Sequence, residues 1–222
     1  MSAGFEGAIL DVDGTLIDSM GTWHNCGARY LAGMGIEAEP GLGDYLFTQT
    51  NESGAYYMIE RYRLDRTPEE VAEGLSKEME KFYFEEAELK KGARDLLDML
   101  ESEGVPMTVA TSTDRYLIER AFEKLDISHY FKGVLTCPEE DTTKADPLIF
   151  MKAAGLMGSR PEDTWVFEDG LYAIETAKKA GFRTVAVYDP VSESDWEGLK
   201  ELADIHVDSL EDFKERYNSY AG

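Results

Sequence analysis

The stretch AILDVDGTLIDSM, residues 8 to 20, decides how the rest of the chain is read. Ala8, Ile9 and Leu10 form an apolar run of the kind that makes a short buried strand. Asp11 and Asp13 follow, spaced one apart, and Gly14 and Thr15 then supply the turn. The reading is a strand that ends in carboxylates.

Working outward, apolar strand candidates recur at 107–110, 133–135, 164–167 and 184–187, and a last short strand opens the segment 205–213. Helical periodicity fills the intervals in GARDLLDMLESEG (92–104), RYLIERAFEKL (115–125), PLIFMKAAGLMG (147–158) and LYAIETAKKAG (171–181). Strands alternating with crossover helices predict an α/β fold whose mostly parallel sheet is covered on both faces. The interval from about 19 to 88 breaks the alternation. It carries helical periodicity without a convincing strand, which predicts an inserted helical domain (19–88) in an α/β core formed by 1–18 and 89–222. Thr67, with Pro68 next and Glu70 three residues on, is a capping-box signature for one of its helices. The stretch 41–54 reads as a loop, and Tyr56 and Tyr57 read as core of the insertion.

The 222 residues suit one large domain or a core with an insertion, and 43% apolar content is ample for packing. Asp and Glu total 45 against 22 Lys and Arg, a formal charge of -23 that repels nucleic acid and anionic lipid. Neither is an expected partner. Cys26 and Cys137 stand far apart, with no metal-binding spacing, and read as reduced thiols. No apolar run approaches the roughly 18 residues of a membrane span, and a cytoplasmic location is the expectation.

In a parallel sheet, residues just past the strand ends converge on one crevice. That rule gathers Asp11 and Asp13 after the first strand, Thr111 and Ser112 after the second, Glu168 and Asp169 after 164–167, and Lys144 from a loop before a helix that Pro147 opens. Carboxylates so crowded repel one another unless a cation holds them, and a hard cation such as Mg2+ is the economical answer. A metal bound in this way clamps a phosphoryl group, whose remaining oxygens suit Thr111 and Lys144. A carboxylate can also attack phosphorus, while a second acid protonates the leaving oxygen and then activates water. Ser112 and Thr113 could serve either the phosphate or the backbone of the next helix, Asp114 reads as that helix's cap, and Asp18 reads as a brace for the first loop.

With DVDGT, VATST, TTKADPLIF and VFEDG present in that order, the chain resembles the haloacid dehalogenase-like superfamily of phosphohydrolases over essentially its whole length. It looks close to the branch with a helical cap that includes β-phosphoglucomutases and phosphoglycolate phosphatases. The resemblance implies a Rossmann-like parallel sheet with helices on both faces and an inserted α-helical cap. It implies that Asp11 is the nucleophile and an Mg2+ ligand, and that Asp13 is the acid/base and binds metal through its carbonyl. It implies that Asp169 ligates directly, Glu168 through water, and that Thr111, Ser112 and Lys144 take the phosphate. Gly170, Ala173 and Leu148 depart from the pattern, the last at the support of Lys144.

Asp13 argues against a dehalogenase, and the absence of any lysine before Lys77 argues against a Schiff-base phosphonate hydrolase. A β-phosphoglucomutase is the serious alternative, because His24 falls at that enzyme's cap-hinge position. A mutase must hold a second phosphate, yet no Arg or Lys lies between Arg29 and Arg61. Cap residues His24, Tyr45 and Gln49 are substrate-contact candidates for a neutral polar leaving group. The expectation is a phosphatase acting on a small phosphorylated metabolite, with cap closure expelling water. A receiver-like phosphorylation switch shares the residue types but is a much shorter chain.

Overall fold

The computed structural model describes residues 5–221. The chain separates into two compact units, Ser19–Glu86 and the remainder, which runs up to Asp18 and resumes at Ala87. Ala87 and Glu88, assigned to the insertion by the sequence reading, belong with the sheet instead. The Ala87 carbonyl accepts a bond from Lys124 Nζ (2.7 Å), and the Glu88 carbonyl accepts the Asp18 N–H (3.0 Å).

The helical unit contains α1 (Met20–Gly33), α2 (Leu42–Phe47), α3 (Asn51–Tyr62) and α4 (Pro68–Lys81), and α4 runs into a π-helical turn, Phe82–Glu86. Leu31, Leu42, Ala55, Met58 and Val71 bring one apolar face of each helix to a shared core. Thr67 and Glu70 make the reciprocal capping pair, with Pro68 at the first turn of α4. The stretch 41–54, read as a loop, contains α2 and the start of α3. Gly41 enters α2 at φ +85°, and Leu42 is buried, so two turns are held by packing with no long periodic pattern. Tyr56 is exposed and is not core, whereas Tyr57 packs against the shared cluster.

The second unit contains β1 (Gly7–Leu10), α5 (Ala93–Ser102), β2 (Met107–Thr111), α6 (Arg115–Leu125), β3 (Phe131–Thr136) and α7 (Leu148–Met157). It continues with β4 (Thr164–Glu168), α8 (Leu171–Lys179), β5 (Arg183–Val187), α9 (Trp196–Leu202), β6 (Ile205–Val207) and α10 (Phe213–Ala221). These six strands pair in parallel, in the order β3-β2-β1-β4-β5-β6. β3 starts at Phe131 rather than 133, because an edge strand half open to solvent admits Lys132, which breaks the apolar run.

Alternation along the central strands explains the two covered faces. Ile9, Ala110 and Val166 cluster with Ile149, Phe150 and Ala153 of α7 and with Ala173 and Ala177 of α8. Trp165 and Phe167 alternate with Val166 and meet Tyr217 and Phe213 of α10, with ring centroids 5.5 and 4.9 Å apart. No helix among the described residues is long and apolar enough to cross a membrane.

Gly92, which precedes α5, sits at φ +81°, and a Cβ there would lie 2.3 Å from the Glu211 backbone nitrogen. Both the left-handed backbone and the close approach demand glycine. Gly92→Ala is therefore expected to lose about 2–4 kcal/mol of stability, strain and overpacking together. A urea midpoint within error of the wild-type value would contradict this.

Candidate active site

The strand order sets the site. β1 lies between β2 and β4, and the chain moves outward in opposite directions from that centre, so the switch point falls at the C-terminal ends of β1 and β4. Leu10 pairs with Val109 on one side and Phe167 on the other, which brings Asp11, Thr111 and Glu168 to one rim.

Asp11 opens a tight loop. The Val12 carbonyl accepts the N–H groups of Leu16 (2.9 Å) and Ile17 (2.8 Å), and Gly14 makes the reversal at φ +81°. Ile17 then pairs with Leu89, and Lys90 N–H bonds to the Leu16 carbonyl (2.8 Å). The Asp13 carboxylate accepts a bond from Thr113 Oγ1 at 2.7 Å. Thr113 is thus neither a cap nor a mere backbone partner: its N–H goes to Thr111 Oγ1 (3.1 Å), and its hydroxyl orients Asp13. Ser112 is exposed, with its hydroxyl 3.8 Å from Cys137 Sγ. Asp114 precedes α6 without a side-chain cap bond, and the exposed Asp18 contributes through its backbone.

Lys144, 3% exposed, donates to both Asp11 and Glu168. The second Glu168 oxygen accepts the N–H groups of Asp169 and Gly170, each at 3.0 Å. Leu148 is exposed at the start of α7, so its departure from the family pattern leaves Lys144 supported by these two carboxylates. Asp11, Glu168 and Asp169 place one oxygen each within 4.8 Å of one another, all buried.

One ammonium does not neutralise this set. Burial, then the Glu168 charge, outweighs Lys144 and pushes the Asp11 carboxyl up to about 8. Burial and the charges of Glu168 and Asp11 hold Asp169 well above the usual carboxylate range. Burial disfavours a charged Lys144, but the flanking Asp11 and Glu168 carboxylates win and keep it protonated. An all-oxygen donor set with excess negative charge fits a hard divalent cation.

The remaining candidates lie in the helical unit. His24 Nε2 is 2.9 Å from Asp44 Oδ1, Tyr45 packs against Tyr57 with ring centroids 4.1 Å apart and planes tilted by 35°, and Gln49 bonds to Thr48 (3.1 Å) and Ser53 (3.3 Å). Both cysteines are free and buried, and burial raises both thiol pKa values, that of Cys26 to about 12.

Two residues here escaped the sequence reading. Lys90 Nζ donates to the Gly14 carbonyl (2.7 Å), the Tyr188 carbonyl (2.8 Å) and Asp189 Oδ2 (2.8 Å). Asp189 is 2% exposed and also accepts the Val191 N–H (3.0 Å). The only local signal was a lysine in LKKG ahead of α5, which carries no pattern of its own.

Buried carboxylates and a lysine thus gather at the switch point of a doubly wound α/β sheet. Residues 8–187 match the haloacid dehalogenase-like hydrolases, and the chain belongs to that family. A receiver-type switch is thereby set aside.

Among curated proteins, the chain is 25% identical over 181 residues to a phosphorylated carbohydrates phosphatase of Thermotoga maritima, covering 81% of this chain and 83% of that one. It is 26% identical over 185 residues to fructose-1-phosphate phosphatase YqaB of Escherichia coli (82% and 96%). Among solved structures, a β-phosphoglucomutase from Clostridium difficile superposes with TM-score 0.71 at 19% identity (98% and 99%). CbbY from Rhodobacter sphaeroides, in complex with phosphate, gives 0.73 at 20% (94% and 96%).

Proposed function

We propose that this hydrolase is a magnesium-dependent phosphatase of small phosphorylated metabolites, sugar phosphates foremost, working through an aspartyl-phosphate on Asp11. The observation that carries the reading is the buried Asp11–Lys144–Glu168–Asp169 set beside an Asp13 held by Thr113. The names of the curated relatives support the substrate class.

Asp11 and Asp169 would hold Mg2+, with the Asp13 carbonyl and, through water, Glu168. The ion supplies charge neutralisation for the phosphoryl oxygens. Thr111, Ser112 and Lys144 bind the phosphate, and Lys144 offsets repulsion between Asp11 and the incoming anion. An Asp11 oxygen attacks phosphorus as the bond to the ester oxygen breaks, and that oxygen leaves with its electron pair and takes a proton from Asp13. Water then attacks the phosphorus of the aspartyl-phosphate, giving its proton to the Asp13 carboxylate, and Asp11 and free phosphate are released. His24, Tyr45 and Gln49 carry substrate choice.

Hydrolysis is favoured over phosphoryl transfer to a second position because Arg29 is engaged by Glu86 (2.9 and 2.8 Å) and Arg61 by Glu39. Neither guanidinium is free to receive a second phosphate. The test is a magnesium-supplemented assay over sugar, hexitol and nucleoside monophosphates, with β-glucose 1-phosphate followed for glucose 6-phosphate. Free phosphate from sugar phosphates is expected. Silence on every ester, or glucose 6-phosphate forming faster than free phosphate, overturns the reading.

A further inference from the structure

Besides the loop's own backbone bonds, side chains from distant parts of the chain hold the Asp13 loop, among them Thr113, which lies in the motifs of the family, and Lys90, which does not. Thr113 holds the carboxylate of Asp13 at 2.7 Å. Lys90 holds the backbone one residue on, because its ammonium meets the Gly14 carbonyl at 2.7 Å. The Lys90 side chain is 14% exposed, and its other two bonds go to the Tyr188 carbonyl and Asp189, both at 2.8 Å. Three donors thus meet three acceptors, which leaves the ammonium no freedom to swing.

Asp189 is fixed in turn. Its Oδ1 accepts the Val191 N–H (3.0 Å) and its carbonyl accepts the Ser192 N–H (3.0 Å), so the turn after β5 is rigid where Lys90 grips it. The Gly14 peptide follows Asp13 directly: its N–H bonds to the Ile17 carbonyl (3.1 Å), and its φ of +81° makes the reversal of the loop. A shift there re-aims the Asp13 side chain, while Lys90 itself meets neither the substrate nor the metal in the arrangement proposed above.

We infer that Lys90 is a positioning residue for the proton donor: by clamping the Gly14 carbonyl to Asp189, it sets the direction in which Asp13 delivers its proton to the leaving oxygen. This rests on the phosphatase reading. Its signature is dependence on the leaving group, because an alkoxide needs the proton as the phosphorus–oxygen bond breaks, whereas p-nitrophenolate leaves without one.

The experiment compares kcat/KM for a sugar phosphate and for p-nitrophenyl phosphate in the wild type, Lys90→Met, Asp13→Asn and the double variant Lys90→Met with Asp189→Leu. The double variant removes the buried charge pair together, which guards against unfolding from an uncompensated Asp189. The expected result in both Lys90 variants is a loss of about 10²-fold on the sugar phosphate, and a loss at least about tenfold smaller on the aryl ester. Thermal melting should show the double variant folded. Equal losses on the two esters, or no loss, in the folded double variant overturn the role of Lys90. Equal losses in Asp13→Asn overturn the role of Asp13 as donor and the clamp with it. A wild-type protein inactive on both esters overturns the phosphatase reading itself.

Discussion

Asp11→Asn is expected to abolish turnover of every phosphate ester, by about 10⁴-fold or more, the scale seen when a nucleophile that acts as part of a unit is removed. The amide is nearly the same size and keeps the fold. Asp11 is 5% exposed, and its burial and the Glu168 charge already disfavour its ionised form. An uncharged Asn at that place therefore removes a strained charge, and Lys144 keeps its bond to Glu168. Without magnesium the variant should melt no lower than the parent at pH 8, although it cannot accept a phosphoryl group. Turnover within about tenfold of the parent would remove Asp11 from the role of nucleophile.

Chelation is the second large effect. The metal-free native chain keeps a proton on Asp11 up to about pH 8, whereas the unfolded chain releases it near 3.8. At this group the native state thus binds more protons across that window, and the contribution of Asp11 to stability falls as pH rises from about 4 to about 8. Magnesium held by these carboxylates would compete with that proton for the same oxygens, so its benefit is expected to grow in the same direction. In EDTA, ester hydrolysis should vanish and return with excess Mg2+. At an ion concentration about 100 times its Kd, the gain is about 2.7 kcal/mol, which raises Tm by about 5 °C or more for a chain of this size. The melting gap between magnesium and EDTA should be wider at pH 8 than at pH 5. An identical gap at the two values would mean that these carboxylates do not hold the ion.

The strand ends were legible because each central strand is a short, fully buried and mostly apolar run whose apolar part stops abruptly at a polar residue: Leu10 before Asp11, Ala110 before Thr111, Phe167 before Glu168. Burial on both faces writes that pattern into the sequence directly. Lys90 and Asp189 were not legible. Their bond joins positions 99 residues apart, and neither residue sits in a periodic segment that would flag it. The hydroxyl of Thr113 was left between two roles because its partner, Asp13, lies 100 residues earlier. Helix α2 is six residues long, too short for a 3.6-residue repeat to stand out from a loop. Tyr56 misled for a different reason: aromatic type suggests core, but its position on α3 faces water.

The pairing of Ile17 with Leu89, reinforced by the bond from Asp18 N–H to the Glu88 carbonyl, has a consequence for how such a chain can change over generations. The outgoing and returning segments of the excursion are stitched together at its neck by this bridge, so the length and sequence of what lies between leave the order of the six strands untouched. Exchange of the helices between them therefore leaves the loop that carries Asp11 and Asp13 anchored where it is.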